Sequence, residues 1–160
     1  MTRKKPWNRV DLPVYSICSS DGDHFNMHII TYVTASSMHP KNFACCIYEG
    51  TKTLDNVEKN GHFVLQLLAD TQYRLIDLLG KKSGRDTDKI SRMKKRGLLR
   101  DWKGFPVLKD ALAVMEMRVI GKMEGGDHRV FLCETVSWQN LQEGQPLTLD
   151  KLREKKLIRI

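Results

Sequence analysis

The chain has 160 residues and a mass of 18.5 kDa, with 27 Lys and Arg against 19 Asp and Glu and a net charge of +8. This length is typical of a single domain with a substantial core, so residues 1–160 are interpreted as one unit. No apolar run approaches the ~20 residues of a membrane-spanning helix, and no apolar signal core follows the basic start. We therefore expect a cytoplasmic protein with no membrane partner, and a flexible basic arm over residues 1–11.

The positive charge is concentrated in three stretches, residues 3–5, 81–100 and 151–159. A nucleic-acid partner would exploit such charge. The middle stretch, however, is interleaved with acidic residues and has few aromatic residues that could stack on bases, so nucleic-acid binding is disfavoured. Two interpretations stay open: the basic surface attracts anionic substrates such as phosphorylated cofactors, or it is a solvated face.

The first half of the chain predicts strands that are rich in β-branched or aromatic residues. In chain order we predict a strand over Leu12–Ser19, a strand that Asn26 opens and that runs over Met27–Val33, a strand over Phe43–Tyr48, a short helix that ends at Asn60-Gly61, and a strand over Phe63–Leu68. A polar corner over Thr34–Pro40 separates the second strand from the third.

The second half of the chain alternates helical and extended patterns. In order we predict a helix over Asp70–Leu79, a polar helix or ordered loop over Asp86–Arg96, a turn-rich connector over Trp102–Leu108, strands over Ala113–Lys122 and His128–Trp138 around a hairpin turn, a short helix over Leu147–Glu154, and an extended tail over Lys156–Ile160. Strands and helices do not alternate as in a βαβ fold. The pattern predicts a mainly β protein, an antiparallel barrel of about six strands with peripheral helices.

The four cysteines, Cys18, Cys45, Cys46 and Cys133, lie inside apolar strand-like runs and form no CxxC pair. No spacing of Cys and His matches a zinc site, and disulfides are uncommon in a cytoplasmic chain. We therefore predict buried free thiols and no metal.

Two loops rich in hydroxyl groups flank the strand over Phe43–Tyr48. One is the corner that contains Thr34, Ser36 and Ser37, and the other is Gly50-Thr51-Lys52-Thr53. Hydroxyls, free backbone N–H groups and a lysine are the groups that bind a phosphate. The alternative is that Ser, Thr, Gly and Pro simply form turns here.

Four stretches of the chain carry a family resemblance. They are the opening strand with its turn and Asn (PVYSICSSDGDHFN), the corner TASSMHP, the loop, helix and strand EGTKTLDNVEKNGHFVLQLL, and the hairpin FPVLKDALAVMEMRVIGKMEGGDHRVFLCETV. In this order they resemble the flavin reductase-like family, whose fold is an FMN-binding split barrel. The resemblance extends from about Leu12 to Trp138.

The resemblance implies a homodimer with FMN at or near the subunit interface. It places the flavin and its ribityl phosphate against Thr31, Tyr32, Val33, Thr34, Ala35, Ser36 and Ser37. It places the phosphate at Thr51, Lys52 and Thr53, and it places Asn26 and Gln66 near the ring system. Two of these residues have a simpler alternative: Lys52 can be a solvated loop lysine, and Asn26 can be a turn residue.

His128 is the candidate catalytic residue. It follows a Gly-Gly-Asp turn, and the resemblance implies that it lies near the flavin on the nicotinamide side, where a histidine can donate a hydrogen bond or help to protonate the reduced ring. The alternative is a histidine that caps the hairpin by bonding Asp127. The other four histidines, His24, His28, His39 and His62, are interpreted as surface or packing residues.

Three departures from the family pattern bear on the site rather than on the fold. His39-Pro40 stands where the family commonly has two prolines, Gln66 where it often has Asn, and Met27-His28-Ile29 where it often has Gly-Met-Thr.

The function implied by the resemblance is an NAD(P)H-dependent flavin reductase. A hydride would pass from NADH or NADPH to FMN, and reduced flavin or its electrons would then reach a flavin-dependent monooxygenase or another acceptor. Two alternatives stay open: a flavoredoxin-like electron carrier with tightly bound FMN and no direct use of NAD(P)H, and a non-catalytic flavin-binding protein. The sequence does not distinguish NADH from NADPH, or FMN from FAD.

Overall fold

The computed structural model describes residues 4–159. Its strands are β1 Tyr15–Ser20, β2 Phe25–Ile30, β3 Val33–Ser37, β4 Asn42–Tyr48, β5 His62–Leu67, β6 Leu99–Trp102, β7 Phe105–Leu108, β8 Ala113–Glu124 and β9 His128–Asn140. Its α-helices are α1 Lys52–Asn60, α2 Ile76–Leu79, α3 Lys89–Lys95 and α4 Leu149–Glu154, and 3-10 turns lie at Pro6–Asn8 and Asp70–Leu75.

Seven strands form one antiparallel sheet in the order β2-β1-β5-β8-β9-β4-β3, and β6 pairs with β7 in a separate hairpin. The two outer strands, β2 and β3, are consecutive in the chain and are joined only by Thr31 and Tyr32. Because such a linker spans about 11 Å at most, the sheet must curl until its outer strands approach each other. The result is a barrel that is split between β2 and β3. The predicted mainly β class, with an antiparallel split barrel and peripheral helices, is confirmed.

The apolar residues form two cores on opposite faces of the sheet. Alternate residues of a strand face opposite sides, so Ile17 and Leu65 fill the interior of the barrel while Cys18 and Val64 face outward. Helices α2, α3 and α4 and the β6–β7 hairpin contribute to the second core on the outward face, with Leu79 and Met93 among its side chains. Helix α1 instead contributes Leu54 and Val57 to the interior core.

Several predicted boundaries were wrong, and the structure contains nine strands rather than about six. The predicted second strand divides at Thr31-Tyr32, and most of the predicted polar corner is β3. The predicted connector over Trp102–Leu108 belongs to the β6–β7 hairpin. These short or polar strands form because their backbone groups pair with a neighbour, and the hydrophobic pattern does not report such pairing.

The predicted helices are present but shorter or less regular. Residues 70–79 form a 3-10 turn followed by α2, and the predicted polar helix becomes α3, which is followed by Gly97 at φ +65°. The predicted extended tail folds back instead, because Leu157 N donates to Leu152 O at 2.9 Å and Ile158 packs on the second core. Residue 160 lies outside the described residues.

The predicted basic arm has a defined course where the structure describes it. Its first three residues lie outside the described residues. Residues 6–8 form a 3-10 turn, and Asp11 Oδ1 accepts a hydrogen bond from Asp150 N in α4 at 2.9 Å. No helix within residues 4–159 is long and apolar enough to cross a membrane.

Candidate functional site

A cleft lies at the split of the barrel and has two adjoining parts. The first, of about 320 Å³, is walled by apolar and aromatic side chains from β2, β4 and the start of β9, and we call it the aromatic compartment. The second, of about 250 Å³, lies between the start of α1 and residues 80–84, and we call it the cationic compartment. His28 and Tyr48 border both compartments.

Three rings form one wall of the aromatic compartment. The His128 ring lies between Tyr32 and Tyr48, with ring centroids 5.0 Å and 5.2 Å away. Tyr48 and His128 are directly opposite each other in the β4–β9 pair, whereas Tyr32 comes from the linker between β2 and β3. A planar, apolar group can pack against such a wall.

The backbone of the β8–β9 turn holds His128 in place. Glu49 N donates to Asp127 O at 2.9 Å, which ties the turn to the end of β4. The turn needs glycine at Gly125, where a Cβ would lie 2.7 Å from His128 O. The His128 ring itself bonds to the Asp127 carboxylate, with 2.7 Å between Nδ1 and Oδ1.

An ion-pair cluster secures the same end of β9 to α1. Arg129 contacts Glu58 at 2.6 Å, Glu124 at 3.1 Å and Glu49 at 3.5 Å. Lys122 contacts Glu58 at 2.7 Å. Because Glu58 belongs to α1, this cluster connects the β8–β9 hairpin to that helix.

The N-terminus of α1 forms the floor of the cationic compartment. Thr51 is the N-cap residue: its Oγ1 accepts from Leu54 N at 3.1 Å and donates to Tyr48 O at 2.8 Å. The N–H groups of Lys52 and Thr53 in the first turn have no intrahelical partner, and the helix dipole favours an anion at this end.

Three lysines supply cationic charge around this helix end. Lys52 contacts Asp21 at 3.4 Å, and Lys81 contacts Asp77 at 2.6 Å. Lys82 also borders the compartment. The pKa of Asp21 is held well below its ordinary value, chiefly because the backbone N–H groups of His24 and Asp23 donate to its carboxylate, with Lys52 contributing less. The Asp21 carboxylate is therefore ionised at neutral pH.

One buried and two exposed polar contacts fix the other side of the cationic compartment. Asn26 Nδ2 donates to Thr53 Oγ1 at 3.1 Å, and its Oδ1 faces Gly84 so closely that a Cβ there would lie 2.2 Å away. Arg85 bonds to Gly50 O at 3.1 Å and to Asp55 at 2.6 Å. These contacts fasten residues 80–85 to β2 and to α1.

Two titratable groups behind this region have altered pKa values. Lys89 is 1% exposed, its Nζ donates to Leu79 O at 3.0 Å, and burial lowers its pKa to about 8. Burial and, to a lesser extent, the charge of Lys89 lower the pKa of His28 to about 4. The His28 imidazole is therefore neutral at neutral pH.

The structure brings seven of the predicted site residues to the cleft. Thr31, Tyr32 and His128 line the aromatic compartment, and Asn26, Thr51, Lys52 and Thr53 line the cationic compartment. Val33, Thr34, Ala35, Ser36 and Ser37 form β3 instead and line neither compartment.

Gln66 does not join the cleft. Its position in β5 has the same parity as Val64, so its side chain faces the second core, where Oε1 accepts from Leu108 N at 2.6 Å. The structure thus places Gln66 in a buried contact between β5 and β7.

Among the cleft residues that sequence reasoning missed, four bear on ligand binding: His28, Tyr48, Lys81 and Lys82. Because side chains alternate along a strand, the face of β2 that carries Asn26 also carries His28, and that signal was available. Tyr48 is recognisable only from the β4–β9 register. The two lysines join the site through tertiary packing of a loop.

The four cysteines are free, as predicted, and Cys18, Cys45 and Cys133 are buried. Cys46 is only half-buried and lines the aromatic compartment. Residues 4–159 contain no cluster of three or more His, Cys, Asp or Glu side chains that could hold a metal ion.

The cleft suits a ligand with a planar ring at one end and a phosphate at the other.

Known protein families and structures resemble this chain over most of its length. The family model "Flavin reductase like domain" matches residues 7–155. A curated relative, the putative diflavin flavoprotein A 3 of Nostoc sp., is 26% identical over 125 residues, which is 78% of this chain and 21% of that protein. The chain thus spans about a fifth of the length of the curated relatives that it matches.

Two solved structures show the same fold. The FMN-binding protein from Thermus thermophilus with bound 1-cyclohex-2-enone has a TM-score of 0.75 at 21% identity, covering 91% of this chain and 84% of that one. The styrene monooxygenase flavin reductase from Pseudomonas putida S12 has a TM-score of 0.73 at 18% identity, covering 87% and 86%.

Proposed function

The chain belongs to the flavin reductase-like family, and from that premise we propose that it binds FMN in the cleft and reduces it with NADH or NADPH. The observation that carries this proposal is the junction of the two compartments. The compartment with the rings of Tyr32, Tyr48 and His128 adjoins the compartment that contains the N-terminus of α1 and the nearby lysines. FMN has the matching order of groups: a flat ring system, a polyol chain and a phosphate.

The residues of the cationic compartment fit the phosphate. The N–H groups of Lys52 and Thr53 point out of the first turn of α1, and Lys52, Lys81 and Lys82 supply the opposite charge. Lys52 and Lys81 contact Asp21 and Asp77 at partly exposed sites, so a phosphate can compete for them. Of the three lysines, Lys52 is the one that belongs to the first turn of α1.

The residues of the aromatic compartment fit the ring system. Bound FMN would supply the redox chemistry by accepting a hydride from the nicotinamide. His128 Nδ1 lies 2.7 Å from Asp127 Oδ1, and because a carboxylate only accepts, this contact favours a proton on Nδ1,. We propose that Nε2 is the atom that faces the ligand. A neutral imidazole accepts a hydrogen bond at Nε2, and a protonated one donates.

We also propose that the protein is a homodimer that covers the cleft. Ten large hydrophobic side chains are exposed within residues 4–159, and eight of them lie on or beside β3, β4, β8 and β9. They are Tyr32, Met38, Tyr48, Ile120, Met123, Leu132, Val136 and Trp138. An apolar surface of this kind is typical of an interface, and it is continuous with the aromatic compartment through Tyr32 and Tyr48.

The oligomeric state tests the dimer. We expect wild-type protein to elute at twice 18.5 kDa in light scattering with size-exclusion chromatography, and Leu132→Lys to elute as a monomer. Val10→Lys is the matched control, because Val10 is also exposed but lies outside this face. A monomeric wild type would overturn the dimer.

The acceptor of the electrons is proposed to be a partner oxygenase, because one structural neighbour is the flavin reductase of a styrene monooxygenase. A second candidate function is an electron carrier that docks with an acidic protein. It is favoured by residues 81–100, which hold nine Lys or Arg and two Asp, and all of these basic residues except Lys89 are exposed or half-exposed. The segment borders the cationic compartment through Lys81 and Lys82.

An anaerobic titration distinguishes the two candidates. Purified protein loaded with FMN should show a flavin band at about 450 nm that bleaches within seconds on addition of NADH or NADPH. A band that ignores both donors but bleaches with a chemical reductant would favour the electron carrier. A protein that binds no added FMN would contradict both.

A further inference from the structure

His28 lies where the two compartments of the cleft meet. It is on β2, on the same face as Asn26, and it borders the aromatic compartment, the cationic compartment and a neighbouring apolar hollow. Tyr48 is the other residue that borders both compartments. A ligand that extends from one compartment into the other must pass these two side chains.

We infer that His28 forms a polyol subsite that recognises the ribityl chain of the flavin. This inference deepens the proposed function and rests on it. With the ring system against His128 and the phosphate at the start of α1, the hydroxyl-bearing chain between them lies beside His28. An imidazole has one nitrogen that donates and one that accepts, so it can bond neighbouring hydroxyls of a polyol.

The imidazole of His28 has the hydrogen-bonding capacity that this role requires. No residue within 4–159 hydrogen-bonds its ring nitrogens, and the contact between Ser16 Oγ and His28 at 3.1 Å uses only the backbone carbonyl. A half-buried imidazole without a protein partner has both nitrogens available to a ligand. The backbone contact also means that the side chain can be replaced without breaking the β1–β2 pair.

The surroundings of His28 keep its imidazole neutral, so that one ring nitrogen donates and the other accepts,. Burial and, to a lesser extent, the charge of Lys89 in α3 oppose protonation of the ring. Lys52, Lys81 and Lys82 border the cationic compartment, and Glu49 is the one carboxylate among the residues that line the two compartments. A protonated imidazole would only donate, whereas the neutral ring donates and accepts.

Truncated flavins test the inference one group at a time. Lumiflavin has the ring system only, riboflavin adds the ribityl chain, and FMN adds the phosphate. We expect His28→Leu to weaken the binding of riboflavin and FMN by about three- to tenfold each, the effect of one hydrogen bond, and to leave lumiflavin unchanged. His28→Gln, which retains a donor and an acceptor, should restore part of the loss. Flavin fluorescence quenching gives the dissociation constants.

A matched variant separates this subsite from the phosphate site. Lys52→Ala should weaken FMN alone and leave riboflavin and lumiflavin unchanged. Equal losses for all three flavins in His28→Leu, or no loss for any of them, would overturn the polyol subsite while the proposed function stands. A wild-type protein that binds none of the three would overturn the proposed function and this inference with it.

Discussion

Tyr32 and Tyr48, which form walls of the aromatic compartment, are 55% and 52% exposed, whereas Asn26 and Thr53, which frame the cationic compartment, are 7% and 1% exposed. The cationic compartment is framed within one chain by the buried hydrogen bond between Asn26 and Thr53 and by partly exposed ion pairs. The aromatic compartment is a set of rings at the rim of a split barrel. This difference is what we expect if the proposed phosphate site is formed within one chain and the proposed ring site is completed by a second copy of the chain.

The largest expected effect comes from filling the space between Gly84 and Asn26. A Cβ at Gly84 would lie 2.2 Å from Asn26 Oδ1, so Gly84→Val must displace a buried side chain and open the loop. We expect a loss of about 1–3 kcal/mol in the free energy of unfolding, measured by urea denaturation, and at least tenfold weaker FMN binding.

A double-mutant cycle checks the cause. If the clash with Asn26 dominates, Gly84→Val should cost clearly less in an Asn26→Ala background, because the shortened side chain leaves room. Strictly additive losses would show that the two residues are independent, and that the cationic compartment does not depend on their contact.

Acid should destabilise the fold through His28. Folding lowers its pKa from 6.5 to about 4, so between these values the unfolded chain binds more protons than the folded chain. The contribution of neutral His28 to the free energy of unfolding is therefore fully present above pH 6.5. It is lost as the pH falls from 6.5 to 4, and we expect a loss on the order of 2 kcal/mol after allowance for partial exposure,.

Urea denaturation at a series of pH values measures this dependence. His28→Gln should lose less stability between pH 6.5 and 4 than wild type does, whereas His24→Gln, at an exposed turn, should follow wild type. Parallel curves for His28→Gln and wild type would mean that the imidazole is not desolvated in the folded state.

Removal of one cation from the cationic compartment should have a smaller effect. We expect Lys52→Ala to weaken FMN binding about tenfold, since a charge-assisted hydrogen bond contributes roughly 1.5–3 kcal/mol and Lys81 and Lys82 remain. The loss should shrink at high salt. Lys59→Ala, in the last turn of the same helix, is the control, and an equal effect there would contradict a specific phosphate contact.

The smallest effect is expected in the aromatic compartment. Asp127 is largely exposed, so Asp127→Asn should change the free energy of unfolding by less than about 1 kcal/mol. Its effect should appear in the rate of flavin reduction and in the pH profile of that rate, because the His128 ring loses its anionic partner. Asp110→Asn, far from the cleft, should leave both unchanged, and an unaltered profile in Asp127→Asn would remove Asp127 from the site.

The cationic compartment was partly predictable because its core is contiguous in sequence. Gly50-Thr51-Lys52-Thr53 combines a turn, an N-cap and a lysine within four residues, and local chemistry alone suggests a phosphate site. Lys81 and Lys82 were not predictable, because a loop some 30 residues later reaches the same place only through the contacts of Arg85 and Lys89.

The aromatic compartment could not be derived from local patterns. Tyr32, Tyr48 and His128 come from three separate elements, and they meet only because β4 pairs with β9 in one register and the β2–β3 linker crosses the split. A shift of one residue in that register would turn Tyr48 or His128 to the other face. The prediction that Gln66 lies near the flavin shows the same limit, because strand parity turns its side chain toward the second core.

A crystal structure of the protein with FMN tests the central claim most directly. The account predicts the phosphate within hydrogen-bond distance of the N–H groups of Lys52 and Thr53, the ring system beside Tyr32, Tyr48 and His128, and the ribityl chain beside His28. A flavin bound elsewhere, or with its phosphate in the aromatic compartment, would contradict it.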